Sequence, residues 1–225
     1  MIPITFSDDI IKILFVFVLG TAAMLIFRRT LTALFTVYAI QSLLIALIAL
    51  VLFARNGSVV LLFVVLLTIA SKVVLIPSVL QRVQKNMHLK RDLEFRYLTP
   101  ISSIVVSAGI IFLVYTTFSR FLLEFSGDHL FFFGAVIGVS LCLIGMLVIC
   151  TRKTMITKIL GYLTMENGVL LFSIFTAELP FIIELLIVLD LVMLIVLATI
   201  LAFGVDSTIE EFHHKLNSFT LWFKE

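Results

Sequence analysis

The chain has 225 residues, of which 62% are hydrophobic and 13% are charged, and its formal net charge is +2. A soluble core could not hide this much apolar surface, and the charged fraction is about half that of a soluble domain, so the composition indicates an integral membrane protein that crosses the bilayer several times. The small net charge gives no reason to expect a nucleic-acid partner. The two cysteines are too few to ligate an iron–sulfur cluster or a zinc site by themselves, so we expect no metal and no cofactor.

Seven apolar runs are long enough to cross roughly 30 Å of hydrocarbon as helices. In chain order they lie near Ile10–Phe27, Thr30–Phe53, Val59–Leu80, Pro100–Phe118, Leu130–Cys150, Ile159–Ala177 and Phe181–Phe203. Helices are the only choice for such runs, because each backbone polar group in lipid has to be satisfied within its own segment. The sequence therefore predicts an all-α, multi-pass protein with seven spans.

The distribution of Lys and Arg predicts the orientation of these spans. Twelve of these residues lie in the loops and tail on one side of the predicted spans, and two, Arg55 and Arg120, lie on the other side. Basic loops stay in the cytoplasm, so the N-terminus is predicted outside and the C-terminus inside. The membrane is then the inner (cytoplasmic) membrane of the cell.

A faint internal repeat divides this single membrane domain. The run Arg28-Arg29-Thr30, followed by Tyr38 and Gln41-Ser42, parallels Arg152-Lys153-Thr154, followed by Tyr162 and Glu166-Asn167. We therefore predict a 3+1+3 arrangement: a first three-helix unit at 1–80, a basic cytoplasmic loop plus a linker span at 81–129, a second three-helix unit at 130–203, and an amphipathic cytoplasmic tail at 204–225. Parallel repeats are a known way to build transport proteins; the alternative is a chance resemblance between apolar helices.

Several spans carry ionisable residues at depths where charge is expensive. A charged side chain near the bilayer centre costs on the order of 2.5–3.5 kcal/mol on insertion scales, so such residues mark functional sites by default. The candidates for an ion pathway are Glu166, Asp190, Lys72 and Glu184, and the candidates for a supporting polar role are Gln41 and Asn167. Pairing Lys72 with one of the acids would offset part of the cost.

Three of these candidates have a simpler alternative. Lys72 could extend its stem towards the cytoplasmic interface, although Pro77 is expected to loosen the helix around it. Glu184 lies one turn after Pro180 and could be interfacial. Gln41 could simply hydrogen-bond neighbouring helices together.

Four stretches together resemble component E of hydrogenase-4, a membrane-arm subunit of group 4 nickel–iron hydrogenase and formate hydrogenlyase complexes. They are Gln41-Ser42-Leu43, Lys72-Val73-Val74-Leu75-Ile76-Pro77, Gly161-Tyr162 with Met165-Glu166-Asn167-Gly168, and the series Pro180, Glu184 and Asp190. The resemblance implies a subunit with no redox chemistry of its own that contributes to an ion-translocating membrane arm carrying H⁺ or Na⁺. It also implies antiporter-like and K-type membrane neighbours and a cytoplasmic hydrogenase arm.

Spans five to seven also resemble the small K-type subunit of respiratory complex I and the C-type antiporter subunits. In that pattern a membrane glutamate stands where this chain has Leu163, and here the acid comes three residues later, at Glu166. Three residues are about 300° of helix, so the acid stays on nearly the same face. The resemblance therefore implies a proton site that has moved by about 4.5 Å along the helix.

The remaining polar segments face the cytoplasm in this topology. Gln81–Tyr97 is basic and is predicted to contact lipid headgroups or a soluble partner, and the tail is predicted to lie along the membrane surface. Two other functional classes stay open at this stage. One is a subunit of a multisubunit cation/proton antiporter, and the other is a structural subunit whose buried acids move nothing.

Overall fold

The computed structural model describes residues 4–28, 30–86, 100–122, 129–152 and 154–176, together with 188–190, 192–193 and 195–196. Nearly all of these residues are helical. The elements are α1 (Ile4–Phe27), α2 (Leu31–Asn56), α3 (Val59–Thr68), a π-helical segment (Ile69–Leu75), α4 (Ile76–Asn86), α5 (Pro100–Leu122), α6 (His129–Thr151) and α7 (Met155–Thr176). The all-α prediction is confirmed for the described part of the chain.

Five helices in this part of the chain are long and apolar enough to cross a membrane. Their apolar segments are Ser7–Phe27, Leu31–Asn56, Val59–Arg82, Ile101–Arg120 and Leu130–Thr151, within a few residues of the first five predicted spans. Helix α7 is of similar length but is not one of these five, and it contains the polar residues Lys158, Glu166 and Asn167. Most of the predicted seventh span lies outside the described residues, so the count of seven stays a prediction.

The third apolar segment is a continuous helical rod with a widened turn in its middle. Helix α3 passes into the π-helical segment, and α4 continues the rod to Asn86, beyond the predicted end of the span at Leu80. At the end of the π-helical segment the Ile76 N–H bonds the Ser71 carbonyl, five residues earlier. Pro77 follows directly, and a proline ring collides with the carbonyl four residues before it in an ordinary helix. The predicted loosening of the helix before Pro77 is therefore present as this π-helical segment, which contains Lys72.

Helix α2 is the centre of the bundle, because it packs against α1, the third rod and α7. Helix α5 lies at the edge and contacts α1 and α6; only 17% of its apolar segment is buried, compared with 61% for α6. Between α2 and α3 the chain reverses at Gly57, whose φ of 66° is in the left-handed region and whose N–H caps α2 on the Phe53 carbonyl.

Helices α6 and α7 form a hairpin whose backbones touch at four glycines. A Cβ on Gly168 would lie 2.5 Å from the Cys142 nitrogen, and one on Gly145 would lie 2.5 Å from the Met165 nitrogen. A Cβ on Gly138 or Gly161 would likewise lie 2.6 or 2.9 Å from backbone atoms of the facing helix. Small residues allow this kind of contact between helices in lipid, where apolar side chains gain nothing by leaving the lipid. The interlocked hairpin therefore fixes α7 rigidly against α6.

The loop between α6 and α7 is joined to the end of α1 by a buried arginine. The Arg152 Nη2 atom donates to the carbonyls of Leu25, Ile26 and Arg28 at 3.3, 2.8 and 3.0 Å. Burial lowers the pKa of the guanidinium to about 10, so it remains charged at neutral pH. A cation at a helix C-terminus satisfies carbonyls that have no partner within the helix and complements the helix dipole.

Candidate functional site

Lys72 occupies the middle of the bundle and contacts two carboxylates. Its side chain is 2% exposed, and the Nζ atom lies 2.8 Å from Glu166 Oε1 and 3.8 Å from Asp190 Oδ1. Glu166 is 1% exposed and Asp190 is 5% exposed. The expected pairing of Lys72 with an acid is therefore present, and the alternative in which Lys72 extends towards the cytoplasm is wrong. We call Lys72, Glu166 and Asp190 the ionic cluster.

Separate elements bring the ionic cluster together at one depth. Lys72 lies ten residues before Arg82 on the third rod, and Glu166 lies eleven residues after the start of α7. At 1.5 Å per residue Lys72 is roughly 15 Å from the end of its apolar segment, and Glu166 is roughly 17 Å from the start of its helix. The glycine contacts of the α6–α7 hairpin hold Glu166 in place, while the π-helical segment directs Lys72 towards it.

Asp190 has a second partner on the third rod. The Ser71 hydroxyl lies 2.8 Å from Asp190 Oδ2, the oxygen other than the one that faces Lys72, and also 2.9 Å from the Leu67 carbonyl. A hydroxyl has one proton, so it donates to one of these acceptors at a time. Asp190 can therefore gain or lose a hydrogen bond by rotation of a single hydroxyl group.

The ionic cluster contains one base and two acids. If all three groups are ionised the net charge is −1, and an uncompensated charge is costly where water is excluded. One added proton makes the cluster neutral, and the two acids are then alternative sites for it. The arrangement therefore offers two alternative sites, on Glu166 and on Asp190, for one added proton.

A hydrogen-bonded chain of neutral polar groups lies beside the ionic cluster. The Asn167 amide nitrogen donates to Ser42 Oγ at 2.9 Å and to Gln41 Oε1 at 3.4 Å. The Gln41 amide donates to Thr21 Oγ1 at 3.3 Å, and Thr21 donates to the Val18 carbonyl. These bonds link α7, α2 and α1, as expected for polar residues that hold membrane helices together. Gln41 and Asn167 thus belong to a hydrogen-bonded chain between helices, and their supporting role at an ion pathway stays a prediction.

A small cavity adjoins the ionic cluster on the side of Asp190. Its volume is about 10 Å³, close to the minimum for one water molecule, and its polar lining is Thr68, Ser71, Lys72 and Asp190. Within the part of the chain that the structure describes, no three His, Cys, Asp or Glu side chains are placed to hold a metal ion. The cavity therefore has room for about one water molecule beside Asp190.

The predicted site residues have different outcomes. Lys72, Glu166 and Asp190 come together, and Gln41 and Asn167 lie next to them, whereas Glu184 lies outside the described residues. Ser42 and Ser71 join the site although neither was singled out for it in the sequence. Each is next to a candidate in sequence, at Gln41 and Lys72, and that adjacency is the signal that could have found them.

Comparison of the chain with protein-family models, with curated proteins and with solved structures finds no match.

Proposed function

We propose that this protein is a membrane-arm subunit of a complex I-like, ion-translocating hydrogenase assembly. In this proposal Lys72, Glu166 and Asp190 belong to its proton (or Na⁺) pathway, and Glu184 is a further member. The observation that carries the ion-pathway part is the buried ammonium that lies 2.8 Å from one carboxylate and 3.8 Å from another. The choice of assembly depends on the resemblance of the four stretches described above.

The proposed cycle follows from competition between the two acids for Lys72. While Lys72 pairs with Glu166, Asp190 is the acid that holds the added proton. A shift of the Nζ atom towards Asp190 by about half of the difference between the 2.8 and 3.8 Å distances would make the two pairs equal. A larger shift would pair Lys72 with Asp190 and leave the proton on Glu166. A neighbouring subunit that favours one pairing would then drive proton movement.

The proposed topology has seven spans, with the N-terminus outside and the C-terminus in the cytoplasm. The apolar surface of α5 faces lipid or the antiporter-like and K-type neighbours, and residues 81–97 face the cytoplasmic arm.

The 3+1+3 repeat is supported by one contact: Ser42 and Asn167, which the repeat makes equivalent, form a hydrogen bond with each other. Equivalent residues meet in this way at a two-fold axis. Labelling of single cysteines at positions 8 and 82 from the two sides of the membrane tests the orientation.

The decisive experiment separates assembly from ion movement. Glu166→Gln and Asp190→Asn keep the shape and hydrogen bonding of each acid but remove its titration. We expect both variants to assemble, while proton uptake by vesicles that is driven by the redox reaction falls. Asp9→Asn is the matched control, because Asp9 is an exposed acid on α1 that pairs only with Lys12 in the described region. Repeating the uptake assay with and without Na⁺ distinguishes the two ions.

A structural role is the second candidate, and the 2.8 Å contact between Lys72 and Glu166 favours it, because a static ion pair would have the same geometry. If both acid variants assemble and couple normally, the ionic cluster is a scaffold. Purification of the native protein with antiporter subunits and no hydrogenase subunits would instead indicate an antiporter complex. Isolation as a single subunit would contradict both assemblies.

A further inference from the structure

Lys72 and Asp190 face each other across a gap that a single hydrogen bond cannot span. The Lys72 Nζ atom lies 3.8 Å from Asp190 Oδ1, whereas a direct bond between such atoms is about 2.7–3.2 Å long. Asp190 Oδ1 is buried and has no hydrogen-bond donor among the described residues, while the Ser71 hydroxyl lies 2.8 Å from the other oxygen of the same carboxylate. Buried polar atoms normally have a partner, and a water that bridges two polar groups is nearly as good as a direct bond.

The small cavity beside the ionic cluster lies where such a bridge would be needed, because Lys72 and Asp190 both line it. Its volume of about 10 Å³ is that of one water molecule. A buried water typically makes about three hydrogen bonds, so a site for it needs several polar walls. Two more of the residues that line the cavity, Thr68 and Ser71, carry hydroxyl groups.

The charges around the cavity decide between water and a cation as its ligand. The Lys72 ammonium would repel Na⁺ at this distance, and Asp190 is the one carboxylate among the described residues that line the cavity. A water molecule can accept a hydrogen bond from an ammonium and donate one to a carboxylate. A neutral water therefore suits both walls, whereas a cation suits one.

Thr68 is the further residue that this site would use. Its side chain is 3% exposed, and it precedes Lys72 by four residues, which places the two on the same side of the third rod. A threonine hydroxyl both donates and accepts, so it can bond a water in either orientation. Thr164 is equally buried, but its hydroxyl donates to the Leu160 carbonyl of its own helix at 2.8 Å, and Thr164 does not line the cavity.

We propose that the cavity is the binding site of one water molecule, which accepts a hydrogen bond from Lys72 Nζ, donates one to Asp190 Oδ1 and bonds the Thr68 hydroxyl. Two hydrogen bonds of about 2.8 Å can join atoms that are 3.8 Å apart, so neither side chain has to move. Lys72 then contacts Glu166 directly and Asp190 through the water. The water site stands by itself, and its effect on ion movement, in which Lys72 displaces the water to contact Asp190, rests on the proposed function.

The test is an electron cryo-microscopy map of the assembled complex in lipid nanodiscs, at a resolution that shows ordered waters. We expect a water peak about 2.5–3.2 Å from Lys72 Nζ, Asp190 Oδ1 and Thr68 Oγ1. Thr68→Val keeps the shape of the side chain and removes its hydroxyl, so it should weaken water binding about fivefold, the effect of losing one neutral hydrogen bond, and lower the peak. Thr68→Ser keeps the hydroxyl and should keep the peak. Thr164→Val is the matched control and should also keep it.

The map of the unmodified complex decides the question even if Thr68→Val does not assemble. The proposal is overturned if this position has no peak in a map that shows waters at other buried sites, or if the peak appears only when the buffer contains Na⁺. A direct hydrogen bond between Lys72 and Asp190 would also overturn it. Equal peaks in Thr68→Val and Thr164→Val would show that Thr68 does not bind the water. The maps do not depend on transport, so failure of this inference is distinguishable from normal coupling in Glu166→Gln, which would overturn the proposed function.

Discussion

Replacing Lys72 by Met should destabilise the helix bundle more than replacing either acid, because Lys72 is the common partner of both. Lys72→Met keeps much of the side-chain volume and leaves two carboxylates without a base. Glu166→Gln and Asp190→Asn each leave one ammonium beside one carboxylate. The ionic cluster can therefore tolerate the loss of an acid far better than the loss of its base.

The distances give the size of the effect. At an effective dielectric constant of about 20, unit charges 2.8 and 3.8 Å apart attract by about 6 and 4 kcal/mol. The desolvation of buried ions cancels much of this attraction, and breaking a buried pair typically costs about 3–5 kcal/mol. We expect that loss in the free energy of unfolding for Lys72→Met, and roughly 1–2 kcal/mol for either acid variant, which loses one charged hydrogen-bonding partner.

The assay is the thermal unfolding midpoint of the purified complex in lipid nanodiscs, together with its content of this subunit. For a chain of this size the expected loss lowers the midpoint by roughly 6–20 °C. Lys12→Met is the matched control, because the Lys12 side chain is 53% exposed and pairs with Asp9 one turn away. Such surface pairs contribute less than about 1 kcal/mol.

Two results would refute this reasoning. If Lys72→Met is as stable as Lys12→Met, the ammonium is not held by the acids. If Glu166→Gln is as unstable as Lys72→Met, Asp190 does not act as a second partner. The double variant Lys72→Met/Glu166→Gln should recover part of the loss, because the remaining acid can become neutral by binding a proton.

Two further predictions concern the scaffold. Gly168→Ala should separate α6 from α7 and lower the content of assembled subunit, because its Cβ would lie 2.5 Å from the Cys142 nitrogen. Gly109→Ala on α5, where nothing lies within 4 Å, is the control and should be neutral or stabilising. Equal assembly of the two variants would disprove the close glycine contact between α6 and α7. Arg152→Gln should lower the free energy of unfolding by about 1.5–3 kcal/mol, because it loses hydrogen bonds to the end of α1, and this is measured as a lower unfolding midpoint. Arg28→Gln is the control and should change the midpoint little, because the Arg28 side chain is exposed. A normal midpoint for Arg152→Gln would contradict the capping role.

The sequence predicted the helices and the charged residues of the site, because both follow from the cost of polar groups in lipid. Long apolar runs have to be helical, and Lys72, Glu166 and Asp190 stand out within them. The partners could not be predicted, because hydropathy contains no information on which helix faces which. Lys72 had three possible acids, and the contacts of α7 and residues 188–190 with the third rod bring two of them, Glu166 and Asp190, to it, while Glu184 lies outside the described residues.

Backbone geometry was harder to predict than charge. The α6–α7 contacts at Gly145 and Gly168 require two specific helix faces to meet, and glycines are common in membrane helices for other reasons. The π-helical segment depends on Pro77 and on neighbours that tolerate a wider turn. Arg152 was predicted only as one of many loop cations, because its role depends on the end of α1 lying beside it.

The distance in sequence between the partners of the ionic cluster also bears on how the protein enters the membrane. Glu166 follows Lys72 by 94 residues, so at about 5–20 residues per second Lys72 leaves the ribosome roughly 5–19 s before its acid. During this interval the third rod has to partition into lipid with an unpaired lysine. It is the most apolar of the five spanning segments, and each of its sixteen Leu, Ile, Val and Phe residues contributes up to about −0.3 to −0.6 kcal/mol.

That sum outweighs the roughly 2.5–3.5 kcal/mol cost of the lysine, so we expect this segment to insert alone in a translocon glycosylation assay. Helix α7 lacks such a surplus and should insert poorly without α6, which immediately precedes it in the chain. The third rod is thus apolar enough to insert with Lys72 unpaired, and Glu166 enters the membrane later, on the α6–α7 hairpin, when Lys72 is already inserted.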